Sequence, residues 1–350
     1  MLVLLAVPAR ADWISEELEA ALDTEAVEET AQDAGLDFRA VSQSGAGEAF
    51  VKLLREALSA CLPKAALSRS AGCLMVVLVC GLLRNSFGIN GGKLDVLSLC
   101  GAAGITTLTM GGTDTFVQLS IETLQKAQDA ANALLPTLSA AALISGEVNA
   151  SAAKYAAAAF FLNVLQNLCI GGVIPAVQFY CAAAAAEAVC SEVMSGVMRF
   201  LKWCVTTVLI VILLCFTVYL SVSGLISGTT DAAILRGAKT TISTMLPLVG
   251  SIASDAAASV LSAAAVLRQK LGIFGLLLIA AVLLLPFLRI GAQYLLMKGA
   301  AAVSGGLGDS KLQKLMERNT EALGMLLACL GACGLMLFFS VFSLMKVSIR

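Results

Sequence analysis

The chain of 350 residues is 59% hydrophobic and only 13% charged, with a formal net charge of −1 and a mean hydropathy of +0.89. Because soluble domains carry about 25% charged residues, this composition excludes an ordinary water-soluble protein. The absence of histidine excludes histidine metal sites and histidine-dependent catalysis. The sequence has no basic patch interleaved with aromatic residues, so nothing in it indicates nucleic-acid binding.

The beginning of the chain predicts a signal peptide over residues 1–11. This stretch is short and apolar and ends in Ala9-Arg10-Ala11, which fits the small-x-small rule for cleavage, although a basic n-region is missing. A cleaved signal would place the chain from Asp12 onward outside the cytoplasm.

Residues 12–69 are predicted to form an external, amphipathic helical region. Ten acidic residues and no Lys or Arg fall within Asp12–Asp37, which is typical of a solvated helix, with docking to a basic partner as the alternative. Apolar residues recur at helical spacing in two groups. They are Ile14, Leu18 and Leu22, and Phe50, Leu54 and Leu58.

Residues 70–113 predict a first helical hairpin. The apolar runs Ser70–Leu83 and Val96–Thr113 are joined by a turn rich in Gly and Asn. An amphipathic helix is then expected over Asp114–Asp129.

Tyr155–Ala186 is the longest stretch without a charge, at thirty-two residues, and predicts a membrane span. Asn163, Gln166 and Asn167 lie on one face of it. In a membrane helix such a face is either a contact with another helix or the wall of a polar cavity, and the spacing favours the contact.

Three more uncharged runs predict spans. Cys204–Thr230 has twenty-seven such residues, Gly272–Leu288 has seventeen, and Ala322–Met345 has twenty-four. A polar connector, Glu187–Lys202, precedes the first of them, and Arg289–Arg318 separates the last two. Together the runs predict an all-α, polytopic membrane protein with six to eight spans.

Thr241–Leu267 does not fit a simple span, because Asp255 follows a proline and a glycine within it. An aspartate at the centre of a span is costly, so a broken or re-entrant segment is predicted. Asp255 then either caps a helix that begins at Ala256, which the sequence favours, or acts as a ligand in a polar cavity.

An internal duplication is predicted, with residues 114–226 as one membrane repeat and 227–350 as the other. At an offset of 111 residues, Leu135-Pro136 aligns with Leu246-Pro247, and Pro175 aligns with Pro286. Pro136, Pro175, Pro247 and Pro286 are predicted helix kinks, and both Leu-Pro segments are predicted to be broken or re-entrant. Chance similarity between sequences rich in Ala and Leu is the alternative.

The eleven cysteines form no C-x-x-C pair. Cys329 and Cys333 share a helix face, as a metal-ligand pair would require. Since most cysteines lie in apolar runs, we expect them to be small buried hydrophobic residues, and no metal site is predicted.

Several short sequences in Ser70–Met345 resemble the stage III sporulation protein AE family of endospore-forming bacteria. They are Leu83-Arg84-Asn85-Ser86-Phe87, Arg236-Gly237-Ala238-Lys239, Leu246-Pro247-Leu248-Val249-Gly250, Ser254-Asp255, Leu284-Leu285-Pro286-Phe287-Leu288-Arg289 and Met336-Leu337-Phe338-Phe339-Ser340. Their order and spacing, more than any single one, carry the resemblance.

The resemblance implies a non-enzymatic, multi-pass subunit in the outer forespore (mother-cell) membrane. It would belong to a channel complex between mother cell and forespore, similar to a secretion system, that includes a separate ATPase and ring-forming proteins. It implies no catalytic residues and no cofactor.

Two functions are therefore open. The chain could be a scaffold or channel subunit that acts through helix–helix contacts, or a secondary transporter with a substrate path near Asp255. Neither would be an autonomous ATP-driven pump, because the candidate phosphate loop at Gly91-Gly92-Lys93 continues with Leu94 and lacks the first glycine.

Overall fold

The uncharged runs fold as long helices, because a backbone in lipid must form its hydrogen bonds internally. The computed structural model describes residues 25–33, 46–60, 64–87, 96–144, 148–187, 191–245, 250–305 and 310–345, although not the side chains of residues 223–264 and of a few residues in the other helices. The helices are α1 (Glu25–Asp33), α2 (Ala46–Ala60), α3 (Lys64–Phe87), α4 (Val96–Ile144), α5 (Val148–Leu168), a π-helical turn (Cys169–Val173), α6 (Ile174–Glu187), α7 (Ser191–Met245), α8 (Gly250–Ser304) and α9 (Ser310–Met345).

Six of these segments are long and apolar enough to cross a membrane. They are Ala66–Arg84, Val96–Ile144, Ser151–Glu187, Met194–Val222, Ala265–Ser304 and Lys311–Met345. The predicted all-α membrane fold is confirmed, with six such segments in the described part of the chain. Span counts above six would need segments outside those residues.

Several helices are longer than the sequence predicts. The hairpin arm from Val96, the amphipathic stretch from Asp114 and the following apolar stretch form the single helix α4 of 49 residues. Helices α7 and α8 have 55 residues each, or about 80 Å at 1.5 Å per residue, well beyond a hydrocarbon core of about 30 Å. The polar stretches between the uncharged runs continue these helices. This is possible because a helix outside the membrane does not need apolar side chains to form.

The four prolines lie in different settings. Pro136 lies inside α4 and Pro286 inside α8, so the first Leu-Pro segment is continuous helix, and its predicted break is wrong. Because proline has no N–H, a backbone carbonyl one turn earlier loses its partner. Neighbouring helices can supply a new one, which is why membrane helices tolerate proline. Leu246-Pro247 lies outside the described residues, and the duplication stays a prediction.

Pro175 follows a local change of helix type. The N–H of Ile174 bonds to the carbonyl of Cys169, five residues earlier, which defines the π-helical turn. Proline has no N–H, and its ring clashes with the carbonyl four residues before it, here Gly171. The wider turn is a common response to such a conflict.

Helix α9 is the central element of the bundle, since it contacts α4, α5, α6, α7 and α8. Close packing at its start depends on Gly101 in α4. A Cβ there would lie 2.9 Å from both Cys80 Sγ of α3 and Leu312 Cδ1 of α9. Any larger side chain at position 101 would have to displace the side chains of Cys80 and Leu312.

Two buried cations from different helices close the C-terminal end of α9. Arg268 of α8 is completely buried and donates through Nε to the carbonyl of Leu344. Lys154 of α5, also buried, donates from Nζ to the carbonyl of Ser343 at 3.1 Å. The last carbonyls of a helix have no partner within it, and cations also interact favourably with the negative end of its dipole.

The cysteines are partly as expected. Cys73, Cys80, Cys181 and Cys333 are buried free thiols, which confirms the hydrophobic interpretation for them. Cys169 and Cys329 instead form a disulfide, with Cα atoms 6.3 Å apart. It links the π-helical turn to α9 across a separation of 160 residues, a pairing that spacing along the sequence cannot reveal.

The disulfide predicts a specific labelling pattern. In protein denatured without reductant, peptides carrying Cys169 and Cys329 should escape alkylation, whereas those carrying the exposed thiols Cys100 and Cys215 should react. Peptide mass spectrometry checks this, and the Cys169→Ala variant is the control because it should make Cys329 reactive. Full alkylation of both cysteines before reduction would contradict the pairing.

The N-terminal predictions are described only in part. The helix predicted around Phe50, Leu54 and Leu58 is α2, and all three side chains are exposed. The described residues therefore leave its apolar face uncovered. The predicted signal peptide and Ile14, Leu18 and Leu22 lie outside the described residues.

Candidate functional site

A cluster of charged side chains joins three helices at one end of the bundle. Arg318 of α9 donates to both carboxylate oxygens of Glu187 at the end of α6, from Nε at 3.2 Å and from Nη2 at 3.5 Å. Arg318 Nη1 also lies 3.3 Å from Glu321 Oε2, one turn along α9. The guanidinium therefore bridges two carboxylates, as its fork geometry allows.

Glu321 is the meeting point of the cluster. It accepts hydrogen bonds from the hydroxyl of Tyr180 in α6 and, at 2.8 Å, from Lys202 Nζ in α7. Tyr180 is completely buried, and the Glu187 side chain is only 12% exposed. Two carboxylates thus face two cations, so the cluster is electrically balanced.

The cluster is suited to holding helices together. Its acids and bases are already paired with each other, and a buried carboxylate that lost its cation would be left uncompensated. Except for Arg318 and Glu321, which both lie on α9, each pair joins different helices, and this fixes α6 and α7 against α9. We refer to Tyr180, Glu187, Lys202, Arg318 and Glu321 as the ionic cluster.

A cavity of about 500 Å³ lies beside the ionic cluster, between α7, α8 and α9. Its polar walls come from Lys202, Thr206, Tyr294, Lys298, Glu317 and Glu321, and its apolar walls include Val205 and Met325. Among the described residues, the polar interactions of Lys298 are with Tyr294, whose hydroxyl lies 3.1 Å and whose ring centre lies 5.3 Å from Nζ.

This cavity lies beside the boundary between charged and uncharged sequence on two helices. Helix α9 is charged from Lys311 to Glu321 and uncharged from Ala322 to Met345, while α7 becomes uncharged at Cys204. Trp203 is exposed and its ring centre lies 6.3 Å from that of Phe200. Tryptophan is enriched at the membrane–water boundary, which is consistent with this placement.

The predicted polar face on α5 points away from the bundle. Asn163 and Asn167 are exposed and Gln166 is half-buried. The only hydrogen bond described for them runs from Asn163 Nδ2 to the carbonyl of Ala159 in the same helix, at 2.9 Å. Whatever satisfies the remaining amide groups must come from outside the described bundle, so the interface interpretation is kept as a proposal.

Asp255 lies within α8, five residues after the helix begins at Gly250. A cap for a helix beginning at Ala256 is therefore not formed, because Gly250 to Asp255 is already helical. The Asp255 side chain lies outside the described residues, and its role as a polar ligand stays a prediction.

Sequence reasoning missed the ionic cluster. Its members stand up to 141 residues apart, and the only local signal is the spacing of Arg318 and Glu321. Two polar atoms in α8, Arg289 Nε and Gln293 Oε1, are also buried without a hydrogen-bond partner in the described part of the chain.

The chain is similar to proteins of one family. Residues 64–348 match the family model described as Stage III sporulation protein AE. A curated relative of that name from Bacillus subtilis (strain 168) is 25% identical over 227 residues, which are 64% of this chain and 57% of the relative. The match thus spans little more than half of the relative's length. No solved structure matches the chain.

Proposed function

This chain belongs to the stage III sporulation protein AE family, and on that premise we propose that it is a non-enzymatic membrane subunit of a channel complex between mother cell and forespore. It acts through helix–helix contacts with other subunits in the outer forespore membrane. A separate ATPase and ring-forming proteins are its proposed partners, as the family resemblance implies.

The outward polar face of α5 is the observation that carries this proposal. Lipid tails offer no hydrogen bonds, so exposed amides in an uncharged span are satisfied best by another protein helix. Asn163 and Asn167 are exposed, and Gly171 is four residues further on, where an added Cβ would meet nothing within 4 Å. Amides combined with a small residue at four-residue spacing allow another helix to approach closely.

Replacing Asn163, Gln166 and Asn167 together with leucine should release partner subunits. Each interhelical hydrogen bond in a membrane contributes about 0.6–2 kcal/mol, so losing three would weaken a contact about tenfold or more. Co-purification of the tagged chain from sporulating cells measures the loss. The yield and melting temperature of the chain alone should stay unchanged, because these side chains contact little of the bundle.

A matched control is available on α7. Thr217 and Ser221 are exposed at the same four-residue spacing, and each hydroxyl bonds to a carbonyl of its own helix at 2.8 Å. Leucine at both positions should leave assembly intact. If the α5 variant assembled normally but changed the conductance of reconstituted vesicles, the face would line a pore and the contact proposal would fail.

A transporter is the second candidate, and the buried polar atoms of Arg289 and Gln293 favour it. Ionisable and amide groups inside a membrane protein often mark a path for ions or substrate. Such a path could pass near Asp255, on the same helix. Flux through vesicles containing only this chain would support the transporter, whereas flux that required the partner subunits would support the channel subunit.

A further inference from the structure

The cavity between α7, α8 and α9 has the chemistry of an anion site. Its carboxylates are already engaged, since Glu321 accepts bonds from Tyr180, Lys202 and Arg318. Glu317 accepts from Gln313 at 2.9 Å. The Lys298 ammonium, in contrast, faces only a tyrosine among the described residues. Lys298 therefore has donors that no described carboxylate engages, while the lining charges as a whole are balanced, two lysines against two glutamates.

Two ammonium groups and a phenol supply these donors from two helices. Lys202 lines the cavity from α7, and Lys298 and Tyr294 line it from α8. Because Lys298 donates to the Tyr294 oxygen, the phenolic hydrogen is directed to another acceptor. A phosphate group offers several strong acceptor oxygens with negative charge, and lysines bind phosphate as point charges.

The size and position of the cavity restrict the source of the phosphate. Pockets of about 300–1,000 Å³ hold small ligands, and this one has about 500 Å³. It lies at the level of Trp203, where lipid headgroups lie, and its apolar walls, including Val205 and Met325, are suited to the first carbons of an acyl chain. Basic pockets between membrane helices are known to bind anionic headgroups.

We propose that this cavity binds the phosphate of an anionic phospholipid headgroup, with Lys298 and Lys202 as the charged contacts and Tyr294 as a hydrogen-bond donor. The bound lipid would fill the space between α7, α8 and α9 next to the ionic cluster. Neither family membership nor the contact proposal for α5 is needed for this inference.

Native mass spectrometry of the full chain, purified in detergent and stripped of lipid, tests the proposal. Phosphatidylglycerol should bind more tightly than phosphatidylcholine, because the latter carries a compensating cation. Lys298→Gln should weaken phosphatidylglycerol binding about fivefold, the effect of removing one basic contact, while Lys298→Arg should largely retain it. Lys314→Gln is the matched control, since Lys314 is exposed on α9 at the same end of the bundle but outside the cavity lining.

Any of three results would overturn the proposal. Equal binding of the two lipids would show that the headgroup charge is not recognised, and equal losses for Lys298→Gln and Lys314→Gln would indicate diffuse surface attraction. Millimolar inorganic phosphate distinguishes the two sources of the group. Failure to displace phosphatidylglycerol supports a lipid site, whereas displacement that depends on Lys298 supports a phosphate site that free anions also occupy and overturns the lipid assignment.

Discussion

Arg268→Met should lower the free energy of unfolding by about 2–4 kcal/mol. The substitution removes a hydrogen bond from a charged donor, worth about 1.5–3 kcal/mol, and a cation at the end of a helix dipole, worth up to about 2 kcal/mol. It also leaves the Leu344 carbonyl buried without the Arg268 donor. Unfolding of the purified chain by SDS titration in mild detergent measures the change.

Lys270→Met is the matched control for this experiment. Lys270 lies two residues further along α8 and is exposed, so its loss should cost no more than about 0.5 kcal/mol. Lys154→Met should fall between the two, because Lys154 donates to the neighbouring carbonyl of Ser343 but is less completely buried than Arg268. A loss at Arg268 no larger than that at Lys270 would show that the end of α9 does not depend on this contact.

Arg318→Met should have a comparable effect through a different mechanism. Removing one partner of a buried ion pair costs about 3–5 kcal/mol, because the other charge is left uncompensated. The side chains here are 12–28% exposed, so water screens part of this cost and about 2–4 kcal/mol is expected. Arg318→Lys should be intermediate, since an ammonium cannot bridge both carboxylates as the guanidinium does.

A double substitution distinguishes loss of charge balance from loss of packing. Glu187→Gln added to Arg318→Met removes the uncompensated carboxylate, and should recover roughly half of the stability that Arg318→Met alone loses. A thermodynamic cycle over the two positions measures this coupling. Additive losses would mean that Arg318 does not stabilise the bundle through Glu187.

The fold class could be predicted because each span is recognisable from a local signal, a long apolar run without charges. Tyr155–Ala186 and Ala322–Met345 are uncharged over a length that crosses a bilayer, and both lie within membrane-length helices. The ends of the helices could not be predicted in the same way. Asp114 and Asp129 mark a change from apolar to amphipathic sequence, but such a change is compatible with one continuous helix, and α4 passes through both.

The contacts between helices could not be predicted from one sequence. Tyr180 occurs in an apolar run, and nothing near it in the chain indicates that its hydroxyl bonds to Glu321. Cys169 and Cys329 likewise have the surroundings of ordinary buried cysteines. Asn163 and Asn167 could be singled out because amides are conspicuous in an uncharged run, although only the structure shows that they face outward.

The π-helical turn at Cys169–Val173 makes the relative orientation of α5 and α6 depend on the exact number of residues between them. Such a turn amounts to one extra residue in an α-helix, and each residue of an α-helix turns the next by about 100°. Deleting Gly171 would remove the extra residue, leave Pro175 without the wider turn that accommodates it, and rotate Tyr180 by about that angle relative to Asn163. The Asn163 surface of α5 faces outward and the Tyr180 surface of α6 faces inward because of that extra residue. Deleting one residue here should therefore be far less tolerated than substituting one.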